Sequence, residues 1–516
     1  MSPVEVWQVR RLHVKSKVYT ASMPDRTRFS ADPVCAVVAA TSAASMRRQL
    51  QQALQQTRTV ELRLDWLSSE RERGRLLRWL AQQQIPATLI ATCRRRRAGG
   101  RFRGSLAAQR RILEDAVTAG CQCYDIELES LREGLPFPPV ADGHAIVSLH
   151  CFTATQQTPQ ALLGQLRNYS GAIPKLALHC QRISEAMALL GVGRRRRAIL
   201  VPMGEAAVPA RVLALAYGSL LTYAHTGRPT AAGQLSLQEA LSLYRVRNIG
   251  PRTQLFGLVG HPIGHSLSPL VHNRAFQVRR LNAVYLPFPT PELADFLRVV
   301  EQLHIAGFSV TLPYKEAILR YLAWVDPLAR RVGAVNTVVV QGRRLLGYNT
   351  DYCAVLSALR GALKLQRSRA VVLGAGGAAR AAAFALTDAG AEVFIWARRL
   401  EQAASLARAV GGTVIDRRRL AQKDFDLLVN ATPVGMMPDF RRTPLRADEL
   451  HAAVVFDMVY RPERTRLLQL AARKGARTVS GLRMFVAQAA AQWELWMSRP
   501  APVLAMWRAA RRAAAE

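Results

Sequence analysis

The chain is poor in acids and has no long apolar run. Among 516 residues, 36 are Asp or Glu and 71 are Lys or Arg, a formal net charge of +35. No basic stripe is interleaved with aromatics, and no recognisable nucleic-acid module is present, so specific nucleic-acid binding is not expected. An arginine excess of this kind suits anionic small-molecule substrates instead. No uninterrupted apolar stretch reaches the ~18 residues of a membrane helix. The best candidate, "AILVPMGEAAVPARVLALAYGSLL", is broken by Glu205, two prolines and Arg211, which argues against a membrane partner. Cysteine is sparse: seven residues, at 35, 93, 121, 123, 151, 180 and 353, without a paired CxxC pattern. That argues against a disulfide scaffold and a zinc site, and it fits a reducing cytoplasm. Residues 1–32 are basic and lack an apolar h-region. They read as a flexible lead-in, with a plastid transit peptide as the alternative.

What remains is a folded bulk, half hydrophobic and too long for one core. Residues 34–225 alternate strand-like and helix-like segments. The strand candidates are "CAVVAAT", "VELRLDWL", "ATLIATCR", "CYDIEL", "AIVSLH", "IPKLALH", "RAILVPMG" and "GSLLTYAH". Eight such strands over about two hundred residues predict a (β/α)8 barrel across 33–245, its function gathered at the C-terminal strand ends. Gly, Pro and charge in "YRVRNIGPRTQ" mark a linker at 246–253, and a second α/β region occupies 254–516.

Two strands carry costly residues. Lys175 lies inside "IPKLALH", and His150 closes "AIVSLH". Burial disfavours an ammonium, and a neutral amine is the form that attacks a carbonyl to give a Schiff base. A histidine on the neighbouring strand can take and return protons. In "ELRLD", Glu61 and Arg63 alternate onto one face. Arg94, Arg211, Thr230 and Gln234 add donors suited to a small polyhydroxylated carboxylate.

With "TCR…GG", "YDIEL", "VSLHCF", "PKLA" and "TAAGQ" in order, this region resembles the type I 3-dehydroquinate dehydratases. The resemblance implies that Lys175 forms an imine with the substrate ketone and that His150 moves the neighbouring proton. It implies that Glu61, Arg63, Arg94, Arg211, Thr230 and Gln234 bind the substrate. Ala98 stands where the family carries Glu, and Thr230 where serine is usual.

In the second region, "AVVLGAGGAARAAAFAL" reads as strand, glycine turn and helix start. Gly374, Ala375, Gly376, Gly377 and Ala378 would let a pyrophosphate approach the backbone at a helix N-terminus. The next strand ends "FIWARRL", where an unphosphorylated ribose would call for an acid; Arg398 and Arg399 suit the 2′-phosphate of NADP. Together with "GHPIGHSLSP", "GFSVTLPYKEA", "GAVNT", "GYNTD", "VNATPVGM" and "GLRMFVAQAAAQWELW", this half resembles the shikimate dehydrogenases. That implies a substrate domain at about 254–352 completed by a C-terminal helix, and a Rossmann NADP domain at about 353–480. It implies proton transfer by Lys315 and Asp351. Ser266, Ser268, Thr311, Asn336, Tyr460 and Gln488 would contact substrate, and Thr432, Met458 and Gly481 would line the cofactor. Ser309 replaces a family Asn.

Taken together, the two resemblances imply dehydration of 3-dehydroquinate to 3-dehydroshikimate, followed by NADPH-dependent reduction to shikimate. A quinate-preferring dehydrogenase and a decayed basic scaffold are the rivals; the sequence leaves the oligomeric state open.

Overall fold

The computed structural model describes residues 32–515 except 139–143, 194–196 and 423. The expected lead-in therefore lies outside the described residues apart from Asp32, which is buried and paired with Arg247.

Eight parallel strands form the first unit: β1 (Val34–Val38), β2 (Thr59–Arg63), β3 (Thr88–Thr92), β4 (Cys123–Glu127), β5 (His144–Cys151), β6 (Ile173–His179), β7 (Ile199–Met203) and β8 (Thr222–His225). β8 pairs with β1, and the gap between β7 and β8 is bridged by Ala198 and Ser219, so the barrel all but closes. The helices bury one stripe each. In Ala43–Leu54 it is Ala43, Met46, Leu50 and Ala53, and Ser42 caps the first turn.

Strand alternation sorts the barrel interior into layers. Ile90, Cys123, Ile146 and Ile173 belong to an apolar plug in the lower interior. Two residues further along the same faces come Thr92, Asp125, Ser148 and Lys175, all buried. Two further still lie Arg94, Glu127, His150 and Ala177. The polar layers thus sit at the C-terminal strand ends, on an apolar floor.

The second region holds two six-stranded sheets. The first runs β10-β9-β11-β13-β14-β12 and comprises β9 (Gln254–Gly260), β10 (Ala283–Pro289), β11 (Gly307–Val310), β12 (Trp324–Val325), β13 (Thr337–Gln341) and β14 (Arg344–Tyr348). The second runs β17-β16-β15-β18-β19-β20, all parallel, and comprises β15 (Arg369–Leu373), β16 (Glu392–Trp396), β17 (Thr413–Val414), β18 (Phe425–Asn430), β19 (Ala452–Asp457) and β20 (Arg477–Ser480). Its order reverses between β15 and β18, the place where doubly wound sheets bind nucleotides. Helix Gly481–Met497 then returns to the first sheet, placing Leu482, Phe485, Val486 and Trp493 in a cluster with Phe256 and Phe276.

Barrel and second region share one hydrophobic cluster. They also share a helix cap. Asp295, fully buried on helix Leu293–Leu303, accepts from the backbone N–H of Ile183 (2.9 Å) and Ser184 (3.3 Å) and from Ser184 Oγ (2.5 Å). These are the first residues of barrel helix Ile183–Gly191, whose orphan N–H groups favour a carboxylate. Arg182 and Glu292 pair across the same seam at 3.1 Å. Replacing Asp295 by Ala should cost ~1–3 kcal/mol locally, roughly a 5- to 150-fold gain in hydrogen exchange at the amides of Ile183–Gly191. Unchanged exchange there would show that the cap contributes nothing.

Candidate active sites

Sequence alone leaves Lys175 solitary in an apolar wall; the structure pairs it. Its Nζ donates to Asp125 Oδ2 at 2.8 Å, lies 3.5 Å from Glu61 Oε1, and sits 4.1 Å from the centre of the Tyr223 ring. Asp125 also accepts from Ser148 Oγ (2.6 Å) and lies 2.8 Å from Arg94 Nη2. Arg94 donates to Ser148 as well, and Glu61 accepts from Thr92 Oγ1 at 2.9 Å. Burial opposes ionisation of Asp125, but Arg94 and Lys175 overcome it and hold the carboxyl well below the usual range.

Asp125, Ser148 and Tyr223 are site residues the sequence reading missed. The signal was present: Asp125 in "CYDIEL" is a carboxylate in an apolar strand, as anomalous as Lys175, and it shares the inward face with Glu127.

His150 lies beside this cluster, its ring nearly parallel to Phe152. Burial, then the charges of Arg94 and Lys175, push its imidazole well below the ordinary value, so it is neutral near pH 7. Its Nδ1 is buried without a hydrogen-bond partner. The turn that could have brought a carboxylate near it carries Ala98, which is buried. Gly99 follows at φ +77°, and a Cβ there would meet the Phe152 ring at 2.3 Å.

The other expected donors fall into separate arrangements. Arg63 is held by Asp65 through two 2.9 Å contacts. Gln234 Oε1 accepts from Thr230 N and Oγ1, which leaves the Gln234 amide N–H groups free to donate. Arg211 is buried with its Nε unpartnered, and no carboxylate pairs with it among the described residues. Burial lowers its pKa to about 10. A buried cation without a counter-ion is a ready anion site.

In the second region Lys315 Nζ donates to Asp351 Oδ2 at 2.5 Å, with both side chains largely enclosed. Ser266 Oγ accepts from the backbone N–H of Ser268 at 3.2 Å, and Tyr460 and Tyr285 lie nearby. Asn336 is fixed through Thr350, whose N–H donates to Asn336 Oδ1 at 2.8 Å. Ser309 accepts from Tyr285 OH and donates to Gln492 Oε1, so it belongs to a buried chain rather than an open loop. Gln488 is turned back onto its own helix, donating to the Phe485 carbonyl. Thr311 lies against Gly260, where a Cβ would meet its methyl at 2.4 Å.

The glycine turn lies next to this pair. Gly374 has φ +116°, and a Cβ on Gly377 would come within 2.9 Å of Lys315 Cβ. Glycine at 377 therefore lets the nucleotide-type sheet close onto the lysine. Arg398 and Arg399 are exposed just beyond β16. Thr432 is held by Asn430, itself bonded to the buried Asp457. Gly481 abuts the Met458 carbonyl at 2.5 Å from a virtual Cβ, so both expected cofactor-lining residues meet at one edge. Asn430 and Asp457 were not singled out from sequence.

Residues 34–251 match the model of type I 3-dehydroquinase, 258–338 that of the shikimate dehydrogenase substrate binding domain, and 481–511 that of the shikimate 5'-dehydrogenase C-terminal domain. The chain is similar to the chloroplastic bifunctional 3-dehydroquinate dehydratase/shikimate dehydrogenase of Arabidopsis thaliana, at 35% identity over 480 residues, 87% of this chain and 79% of that protein. The chain belongs to this bifunctional family. Its dehydrogenase half is also similar to the shikimate dehydrogenase (NADP(+)) of Moorella thermoacetica, 45% identical over 276 residues, 51% of this chain and 94% of that one. A solved shikimate 5-dehydrogenase from Thermus thermophilus, in complex with NADP(H) and shikimate, is 40% identical with a TM-score of 0.47, covering 51% of this chain and 100% of that one.

A neutral imidazole can accept a proton; an imidazolium cannot. Because the pKa of His150 is depressed, it stays neutral on acidification until well below the ordinary ~6.5. The acid limb of the dehydratase kcat profile should therefore fall below pH ~6.5. A limb at or above that value would contradict the depression.

Proposed function

We infer that Lys175 is the imine-forming nucleophile of the barrel and His150 its general base, and that Lys315 and Asp351 handle the proton in the dehydrogenase half. The protein is a bifunctional shikimate-pathway enzyme, a 3-dehydroquinate dehydratase and an NADP-dependent shikimate dehydrogenase. The observation that carries the residue assignment is the buried Lys175–Asp125 pair beside a neutral histidine.

In the barrel, Asp125 stays ionised and holds the lysine nitrogen; neutral His150 takes a proton from that nitrogen as it attacks the ketone and returns it to the carbinolamine hydroxyl, which leaves as water to give the iminium. The iminium then acidifies the adjacent C–H. His150 accepts that proton and passes it to the C1 hydroxyl, which departs as water; hydrolysis of the iminium then frees 3-dehydroshikimate and regenerates Lys175. Arg211, otherwise an unpaired buried cation, receives the substrate carboxylate, with the free Gln234 amide beside it.

In the second half the glycine turn and the exposed arginines fit NADP. Glycines 374, 376 and 377 leave the backbone open between strand end and helix start, and beyond β16 stand Arg398 and Arg399 where a 2′-phosphate needs cations. NADPH, when bound, supplies the hydride. Lys315 donates a proton to the ketone oxygen as it becomes an alkoxide, and Asp351 orients the ammonium. Ser266 and Ser268 would hold the shikimate carboxylate. Retention of both lysine–aspartate pairs argues against a decayed scaffold. All seven cysteines are free thiols, which suits a reducing compartment, and no helix of the described residues is long and apolar enough to cross a membrane.

A coupled assay tests both halves. 3-Dehydroquinate should drive NADPH oxidation in the intact enzyme. Lys175→Ala should abolish that signal while 3-dehydroshikimate still supports it. Borohydride reduction in the presence of 3-dehydroquinate should leave one mass adduct, on Lys175; an adduct that persists in Lys175→Ala would sink the assignment. For the cofactor, Arg398→Asp should reduce the preference for NADPH over NADH by ~1–3 kcal/mol, as expected for hydrogen bonds to a charged group. Equal kcat/KM for the two nucleotides in the parent enzyme would rule out the arginine reading.

A further inference from the structure

The barrel carries an inward-facing histidine that the mechanism above does not use. On β6, alternation puts His179 on the same face as Lys175 and Ala177, at the open end of the barrel. The residue is half-buried, and its side chain makes no hydrogen bond to another residue among the described ones. Its ring rests against the backbone of Gly204, so closely that a Cβ there would lie 3.3 Å from Cε1 and 3.4 Å from Nδ1. Gly204, at φ +102°, keeps that contact open. The Gly204 N–H donates to the Ala232 carbonyl at 3.1 Å, and Arg211 Nη2 reaches the same carbonyl at 3.4 Å. A Cβ on Gly233 would strike the Gly204 carbonyl at 2.1 Å, which brings the loop carrying Gln234 down onto the same place. Imidazole, guanidinium and the Gln234 amide therefore border one small region.

We propose that His179 is a further substrate-binding residue of the dehydratase, donating an imidazole N–H to the carboxylate end of 3-dehydroquinate beside Arg211. A carboxylate offers about four acceptor sites, more than one guanidinium edge fills. Gln234 and His179 supply donors from the two sides that Arg211 leaves open. The loss of any one should weaken substrate binding and leave imine chemistry at Lys175 intact. This inference rests on the reading that Arg211 takes the carboxylate.

The test uses the full chain with three substitutions, His179→Ala, His179→Gln and Arg211→Gln. Dehydrogenase turnover with 3-dehydroshikimate serves as the control for folding and should not change. His179→Ala should raise the dehydratase KM about 10-fold or more, with kcat within about threefold of the parent. His179→Gln, which keeps an N–H donor of similar reach, should recover most of that loss. With a substrate analogue bearing a carboxamide in place of the carboxylate, used as a competitive inhibitor, the His179→Ala penalty in Ki should shrink, because a neutral acceptor gains less. An unchanged KM in His179→Ala, a loss confined to kcat, or a Gln variant as impaired as Ala would each overturn the role of His179. If Arg211→Gln leaves KM unchanged, the carboxylate reading itself fails. If Arg211→Gln raises KM and His179→Ala does not, that reading stands and only the present inference falls.

Discussion

The carboxylate of Asp125 binds three donors in the barrel: the ammonium of Lys175, the guanidinium of Arg94 and the hydroxyl of Ser148. Two buried cations within a few ångströms would repel each other strongly in a low-dielectric interior. The aspartate makes their coexistence possible, with Glu61 assisting from β2. Everything else about the dehydratase site is arranged around that compensation. The lysine has a direction, the arginine is locked against β5, and His150, kept neutral first by burial, feels two positive charges that add to the effect. The apolar layer below excludes water from one side, which strengthens each of these interactions.

A lysine–carboxylate pair recurs in the dehydrogenase half, but in different surroundings. Lys315 and Asp351 sit, largely enclosed, at the meeting of two sheets, where the glycine turn after β15 comes against the lysine. The barrel pair is walled in by strands of one sheet; this pair is completed by approach of another. The first suits a covalent intermediate that must be kept dry, the second a reaction whose reductant enters and leaves each cycle.

Much of this was legible in the chain. Eight apolar runs mark the eight barrel strands, because a parallel strand buried on both faces cannot carry many polar residues. The same rule exposes Lys175, and it applies equally to Asp125 in "CYDIEL". The glycine turn could be read because it follows a strand and opens a helix. Pairing could not. That Arg63 is held by Asp65 while Arg211 has no carboxylate depends on the distances between strands and loops far apart in sequence. The orphaned Nδ1 of His150 is equally invisible from spacing, since an absence becomes visible only once the neighbours are placed. Asp295 gave no signal at all: in a helix of the second region it looks like an ordinary surface acid, and its partners lie 111 and 112 residues earlier.

That cap changes what the fusion means for the history of the chain. A domain that ends its own helices can be moved between genes freely. Here one helix of the dehydratase begins on a carboxylate encoded in the dehydrogenase, so the two reading frames have ceased to be interchangeable parts. Splitting the gene would leave the barrel with bare N–H groups and the other half with a buried acid suddenly exposed to water. Separation then carries a cost in helix electrostatics, of the ~1–3 kcal/mol scale of hydrogen bonds to a charged group.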